Sequence, residues 1–394
     1  MGRSLAFPQL RTFKPLSLVL VATTLLLSTG CWDRKEVNDL AIVTFAGLDR
    51  KDDGEIELTL EIVMPKKGGK EKQQSKGSSP TLIWSASGLT AADAASKLQL
   101  KLPRAIYWGQ LELLVIGEAL SRGQFREQMD YLVRDNNIRL RVQPFVCRGV
   151  VREFLASSSP LEQTKADFLS GESAHAIRQP ITLNRLVQNL GNKSEASILP
   201  YVDITQDGNE SIPYVKGYAI FSHDRMAGVI KGESFFGMKW MLHQVKGDTE
   251  TVKLEEPSTS LISLGVLSSR TRIVPGFEEG MPRIEVGIET ELRVVQNTTR
   301  FAATDPKFIH GVEKAATDHI RHKVEKTIKQ AQRMGSDIFG FGDAINRRHP
   351  RQWQRLQARW ERIFPSLQVK VKVLVKVRNT GMNNLPAGEP REEV

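Results

Sequence analysis

Cysteine is almost missing from this chain. Cys31 and Cys147 are the only two among 394 residues, so no multi-bridge disulfide scaffold can form. Long apolar runs are missing too. A membrane-crossing helix needs about 20 predominantly apolar residues, and the strongest stretch, Leu16 to Leu27, is shorter than that. No acidic residue precedes Asp33. The chain has no H-E-x-x-H metal motif and no Gly-rich loop ending in Gly-Lys-Ser/Thr to cradle phosphates. Gly232-Glu233-Ser234-Phe235-Phe236-Gly237 and Gly171-Glu172-Ser173-Ala174-His175 both approach the G-x-S-x-G nucleophile elbow, but neither has glycine at the fifth position. With no catalytic constellation, the chain reads as a non-enzyme.

What the N-terminus does contain is ordered. Arg3, Arg11 and Lys14 come first, then a short apolar run without charge, then the small residues Ser28-Thr29-Gly30. That is the layout of a secretory signal. The next residue is Cys31. Leu27-Ser28-Thr29-Gly30-Cys31 resembles a bacterial lipoprotein lipobox, with Ser28 at the place where leucine is usual and Leu27 one residue further back. The resemblance implies diacylglycerol transfer to the Cys31 thiol, cleavage before Cys31, and often acylation of the new amino group. The alternatives are an ordinary signal with a cysteine near the cut by chance, or an uncleaved anchor. Residues 1–30 are therefore expected to be a signal peptide. The remainder is expected to be anchored to a membrane through covalent lipid without spanning it. Each buried methylene is worth about 0.8 kcal/mol and stable anchoring takes two chains, which a diacylglyceryl group supplies. No other cofactor and no metal is expected.

Removing residues 1–30 lowers the formal charge from +10 to +7, because Arg3, Arg11 and Lys14 go with them. A basic surface suits anionic headgroups, where each nearby Lys or Arg adds about 1 kcal/mol; plain solubility explains it equally well. Cys147, in the apolar run Val142 to Val151, reads as a small buried hydrophobe.

The remaining pattern is mixed. Leu40–Leu48 and Glu55–Met64 read as strands joined by a turn at Asp53-Gly54. In the second, Ile56, Leu58, Leu60 and Ile62 face one way, with Glu57, Thr59 and Glu61 opposite. Pro65 to Pro80 holds five lysines among Gly, Ser and Gln, and such a segment reads as a long mobile loop, residues 65–80. A solvated insertion is the favoured reading of its lysines; contact with lipid headgroups or an acidic partner is the alternative. Thr81–Ser85, Ile106–Ile116 and Ile138–Cys147 read as strands, Leu89–Leu100 and Glu118–Val133 as helices. Residues 152–195 read as helical and connective. Strands follow at Ser197–Ile204 and Pro213–Phe221, then a helix at Lys231–Val245 and mostly strand from Leu261 to Val295. A long amphipathic helix carries Phe308, Val312, Ala315, His319, Ile320, Val324, Ile328 and Ala331 on one stripe. The last strand places valine on the odd positions from Val369 to Val377 and lysine on the even ones, except Leu374. The fold class is α+β (mixed α/β), multi-lobed, with sheets packed by helices. An N-terminal domain is expected over 31–205, a C-terminal one over 206–380, a third lobe from about 150–230, and a tail over 381–394.

Between the long helix and the last strand stands Ser336-Asp337-Ile338-Phe339-Gly340-Phe341-Gly342-Asp343. Gly340 and Gly342 permit angles that a side chain resists, Phe339 and Phe341 pack beneath a corner, and Asp343 is positioned to cap the next helix. Asp337, Phe339, Gly340, Phe341 and Gly342 are thus the candidate structural motif. A dinucleotide reading fails, because the motif follows a helix and Ile345 stands where a third glycine is needed. His319 and His322 lie three apart on the helix but have no third ligand at suitable spacing.

Three pieces occur in order: the Gly30–Val43 segment at the mature start, the Ser336–Pro365 segment, and the Val/Lys strand ending in Val377-Arg378-Asn379-Thr380-Gly381. Together they resemble the Ger(x)C lipoproteins, the C subunits of bacterial spore germinant receptors. The resemblance implies a non-enzymatic protein, lipid-anchored on the outer face of the spore inner membrane. It implies action with an A subunit and a polytopic B subunit in nutrient sensing, with no nucleic acid partner. A solute-binding lipoprotein outside the cytoplasm is the alternative. Cys31 alone carries over as a site of defined chemistry.

Overall fold

The computed structural model describes residues 36–63, 81–123, 125–159, 161–190, 196–254, 260–299, 301–302 and 305–379. The signal segment, Cys31, the 65–80 segment and the 381–394 tail lie outside the described residues.

The chain opens with the antiparallel pair β1 (Leu40–Arg50) and β2 (Ile56–Val63), in register with Leu48 opposite Leu58. The turn falls at Asp53-Gly54 as expected: Gly54 takes φ +87 and Asp53 accepts from the Glu55 N–H at 3.0 Å. β3 (Thr81–Gly88) pairs with the outer side of β2. Helix α1 (Ala91–Lys101) starts where the Thr90 side chain accepts from the Asp93 N–H, an ordinary N-cap. Then come β4 (Ala105–Tyr107), β5 (Leu113–Gly117), α2 (Glu118–Arg122), α3 (Arg126–Arg134), β6 (Gln143–Cys147), α4 (Val151–Ala156), α5 (Lys165–Ala176), α6 (Leu183–Leu190), β7 (Ala196–Asp207), β8 (Glu210–Ser222) and β9 (Arg225–Lys231). They build one mixed sheet in the order β3-β2-β1-β5-β6-β7-β8-β9, with β4 beside β1. β1, β5, β6 and β7 run parallel; the outer pairs are antiparallel.

Both faces of this sheet are covered. The pleat sends Leu114 and Ile116 of β5 into a core with α1, α2, α3 and α6, and Leu113 and Val115 into one with α4, α5 and α7 (Glu233–Met241). The alternation of β2 holds, but its polar face is covered too: Thr59 and Glu61 are buried, because α5 begins over them. Glu61 accepts from the Lys165 N–H at 3.0 Å and from Thr44 Oγ1 at 3.3 Å. Burial pushes the Glu61 carboxyl up and pulls Lys165 down to about 8.

Other boundaries move for identifiable reasons. The 106–116 strand is interrupted by a 3-10 turn at Trp108–Gln110, where Trp108 turns inward and meets the Tyr131 ring edge-on at 6.4 Å. The 118–133 helix is two helices, because Gly123 ends the first in extended geometry. The 138–147 strand starts only at Gln143; the residues before it are turns. The 231–245 helix is shorter, Glu233–Met241. β9 and β10 (Thr249–Lys253) are additional short strands. The β7–β8 hairpin straddles residue 205, where the two-part division was expected.

The second sheet is one-sided. β10, β11 (Leu261–Glu278) and β12 (Met281–Asn297) form a meander, and β13 (Gln368–Asn379) joins β12 in parallel with Ile288 opposite Val373. A parallel neighbour requires a long crossover. Here it is α8 (Pro306–Arg333), α9 (Phe341–Arg348), α10 (Pro350–Leu356) and α11 (Trp360–Ile363). α8 lays Phe308, Val312, Ile320, Val324 and Ile328 on the sheet, with Ala316 rather than Ala315 fully buried between them. Each large one contributes about 1.5–3 kcal/mol by burial. The expected alternation holds: Val371 and Val375 are buried, whereas Lys370, Lys372, Leu374 and Lys376 are exposed.

Candidate functional site: the corner after the long helix

Cys31, the residue with the clearest predicted chemistry, lies outside the described residues. The corner motif lies within them, and its parts can be placed one by one.

α8 ends in a Schellman motif. Gly335, at φ +67, donates to the Gln332 carbonyl at 3.1 Å, and the Ser336 N–H reaches the Ala331 carbonyl at 3.3 Å. Gly335 sits just past the last helical residue, the usual signal for such a stop, and it went unread in the sequence. Ser336 Oγ then donates to the Phe221 carbonyl of β8 at 2.7 Å, tying the corner to the first sheet.

The cap of α9 is Asp337, not Asp343. One Asp337 carboxylate oxygen accepts from the Phe341 N–H at 2.9 Å. The other accepts from the Gly342 N–H at 2.7 Å and from Trp360 Nε1 at 3.0 Å. The reason is local geometry: Gly340 adopts the left-handed conformation at φ +69, which swings the first N–H groups of α9 back toward Asp337. Burial pushes the Asp337 carboxyl up to about 6, against the three donors that pull it down. Gly342 is required by close approach rather than by backbone angle. A Cβ there would stand 2.6 Å from the Trp353 ring and 3.0 Å from Trp360 Nε1. Phe341 is fully buried, 5.5 Å from Phe339 and 6.2 Å from Phe364, and Trp353 meets Trp360 at 5.2 Å. All five candidate residues therefore converge, and their job is mechanical. The buried carboxylate ties the start of α9 to Trp360 of α11 beneath the second sheet.

The histidines separate. His319 Nε2 faces Glu250 of β10 at 3.4 Å, while His322 lies toward Glu233 of α7. Glu250 also accepts from Trp240 Nε1 at 3.0 Å and from Lys323 Nζ. Burial pushes this carboxyl up, but His319, Lys323 and Trp240 outweigh it and hold it below its ordinary range. Among the described residues no group of three or more His, Cys, Asp or Glu is placed to hold a metal ion.

The carboxyl ends of the parallel strands, where open α/β sheets bind ligands, are filled with protein. Asp49 ends β1, buried, and accepts from the Val151 N–H at 2.9 Å. A Cβ on Gly117 at the end of β5 would stand 1.9 Å from the Asp49 carboxylate. Cys147 is fully buried beside them as a free thiol, and burial pushes its pKa up. Ser234 and Ser173, from the near-elbow segments, are both buried in helices. Between β10 and the start of α8 runs a surface groove of about 800 Å³, lined by Val252, Leu254, Phe301, Phe308, Lys253 and His319 among others.

Comparison with known proteins matches nearly all of this chain. Residues 33–204 match the family described as spore germination protein N-terminal domain, and residues 216–381 the family described as spore germination B3/GerAC like, C-terminal. Spore germination protein KC of Bacillus subtilis (strain 168) is 25% identical, with 95% of this chain and 97% of that protein aligned. The putative spore germination protein YfkR of the same organism is 26% identical, with 92% and 96% aligned. The crystal structure of the GerBC protein superposes with a TM-score of 0.58 at 18% identity, covering 85% of this chain and 97% of that one. It shares the mixed α/β fold.

Proposed function

The chain belongs to the Ger(x)C family of spore germination proteins, and from that membership we propose that it is the lipid-anchored C subunit of a nutrient germinant receptor. It acts with an A and a B subunit and performs no catalysis of its own. One observation carries the reading: the two family segments run consecutively from residue 33 to residue 381. That leaves Cys31, with its lipobox-like approach, two residues before the first of them. The Cys31 thiol takes a diacylglyceryl group and holds a globular body on the outer face of the spore inner membrane. No described helix is long and apolar enough to cross a membrane. The test is affinity purification of the tagged protein from detergent-extracted spore membranes. Co-purification of a polytopic subunit and an A-type subunit is expected; recovery of the chain alone from gently solubilised membranes contradicts the complex.

A second reading, a free-standing solute-binding lipoprotein, draws on the groove between β10 and α8. Calorimetry of the purified protein against amino acids and sugars separates the two. The receptor-subunit reading expects no heat of binding from the isolated chain. Saturable binding favours the second.

A further inference from the structure

β13 forms one edge of the second sheet. It runs 12 residues, Gln368–Asn379, and stays in unbroken register with β12 from Gln368 opposite Arg283 to Val377 opposite Leu292. Strand edges are normally blunted by brevity, proline, a bulge or charge. Over Gln368–Val377, β13 has only charge. α8 reaches the edge at one point, where Glu313 Oε1 accepts from the Val377 N–H at 2.9 Å. Backbone groups alternate in direction along a strand, so Val369, Val371, Val373 and Val375 turn their N–H and C=O the same way as Val377. No described residue pairs with these four on that side.

The side chains restrict what can lie there. Lys370, Lys372, Lys376 and Arg378 are exposed on the wet face, and β13 carries no acid. On its paired side this charge is met by carboxylates. Glu285, Glu289 and Glu291 of β12 stand opposite Lys370, Leu374 and Lys376. Lys372 pairs with Glu285 at 2.7 Å and Arg378 with Glu291 at 2.9 Å. Lys370 and Lys376 have no ion-pair partner among the described residues. Leu374, between them, is 55% exposed. On the core face Val371 and Val375 are buried, but Val369, Val373 and Val377 are only partly covered. Both faces of β13 therefore end unfinished at this edge, one in free cations and the other in half-covered valines.

We propose that β13 is a docking edge that takes an acidic, extended segment of another protein as a fifth strand of this sheet. Main-chain hydrogen bonds to the outward-turned valines supply the pairing, and alternate side chains select the partner. A second copy of β13 does not fit, because like charges directly opposite one another destabilise a ladder. A segment with Asp or Glu at every second position repeats on the free side what β12 does on the paired one. Its carboxylates close on Lys370 and Lys376, and its apolar positions cover Val369 and Val373. Nothing in this arrangement depends on the Cys31 anchor.

The test follows the fluorescence anisotropy of a labelled peptide of repeating Glu-Val, titrated with the full-length protein in detergent. Saturable binding is expected, and none by a Lys-Val repeat. The fully N-methylated Glu-Val peptide keeps its charge but cannot donate to a strand edge, and it is expected not to bind. Lys370→Glu combined with Lys376→Glu, both at exposed positions, is expected to weaken the Glu-Val peptide by about tenfold and to admit the Lys-Val one. No saturable binding by wild type overturns the proposal. Equal binding of the N-methylated peptide reduces the contact to surface charge and also overturns it. Binding only after removal of residues 381–394 assigns the edge to the chain's own tail. Dimerisation of the protein that the peptide displaces assigns it to a second copy. Either of these overturns the proposal as well.

Discussion

Asp337 holds a carboxylate away from water so that it can accept from Phe341, Gly342 and Trp360. Replacing it with alanine leaves three buried donors without an acceptor. Asp337→Ala is therefore expected to lower stability by about 3 kcal/mol, measured by denaturant unfolding. Gly342→Ala, which drives a methyl into the Trp353 ring, is expected to cost about 1–3 kcal/mol in the same measurement. The pH dependence has a definite sign. Burial raises the folded pKa of Asp337 from 3.8 to about 6, so the fold favours the neutral acid. Its contribution is fully present below 3.8 and is lost as pH rises through about 6, a span of about 3 kcal/mol. Wild type is expected to lose stability relative to Asp337→Asn across that window. Parallel pH curves for the two proteins would refute this assignment. Cys147, buried as a free thiol with its pKa raised, is expected to resist maleimide until the protein unfolds, read by mass shift with and without denaturant.

At the scale of elements, α8 is held by more than its apolar stripe. Lys323 and His319 converge on Glu250 of β10, which is buried. Breaking a buried pair from one side leaves an uncompensated charge, so Glu250→Ala is expected to destabilise by about 3–5 kcal/mol. The double variant Glu250→Leu with Lys323→Met is expected to recover much of that, checked in a thermodynamic cycle. The pH sign is opposite to that of Asp337. Glu250 is held below its ordinary range, so its stabilising contribution is present above the unfolded pKa and lost as pH falls through the folded one. These elements also show what a sequence can and cannot disclose. The α8 stripe and the Val/Lys strand were legible because each has one dry face, and a single period records that. The cover over the polar face of β2 was not legible, because α5 comes about a hundred residues later and no local pattern records a distant lid. β9 and β10 are too short to leave a clear period. Asp343 looked like the cap because spacing favours it; only the left-handed turn at Gly340 hands the role to Asp337. His319 matched an apolar stripe in position, while its partner Glu250 sits on a strand that the period did not reveal.

For the whole molecule, the two sheets divide the labour by their surfaces. The first is covered on both faces and exposes its apolar edge at β3; the second offers a wet, charged face where Lys372 pairs with Glu285 and Arg378 with Glu291. Exposed pairs of this kind contribute little to stability, about 0–1 kcal/mol each. Cys31→Ala is expected to abolish incorporation of labelled palmitate into the protein and to slow germination through its receptor. The most direct check of the account is the intact mass of the mature protein extracted from spore membranes. The account predicts a chain that begins at Cys31 and carries the mass of a diacylglyceryl group. A bare Cys31 thiol, or residues 1–30 still attached, would contradict it.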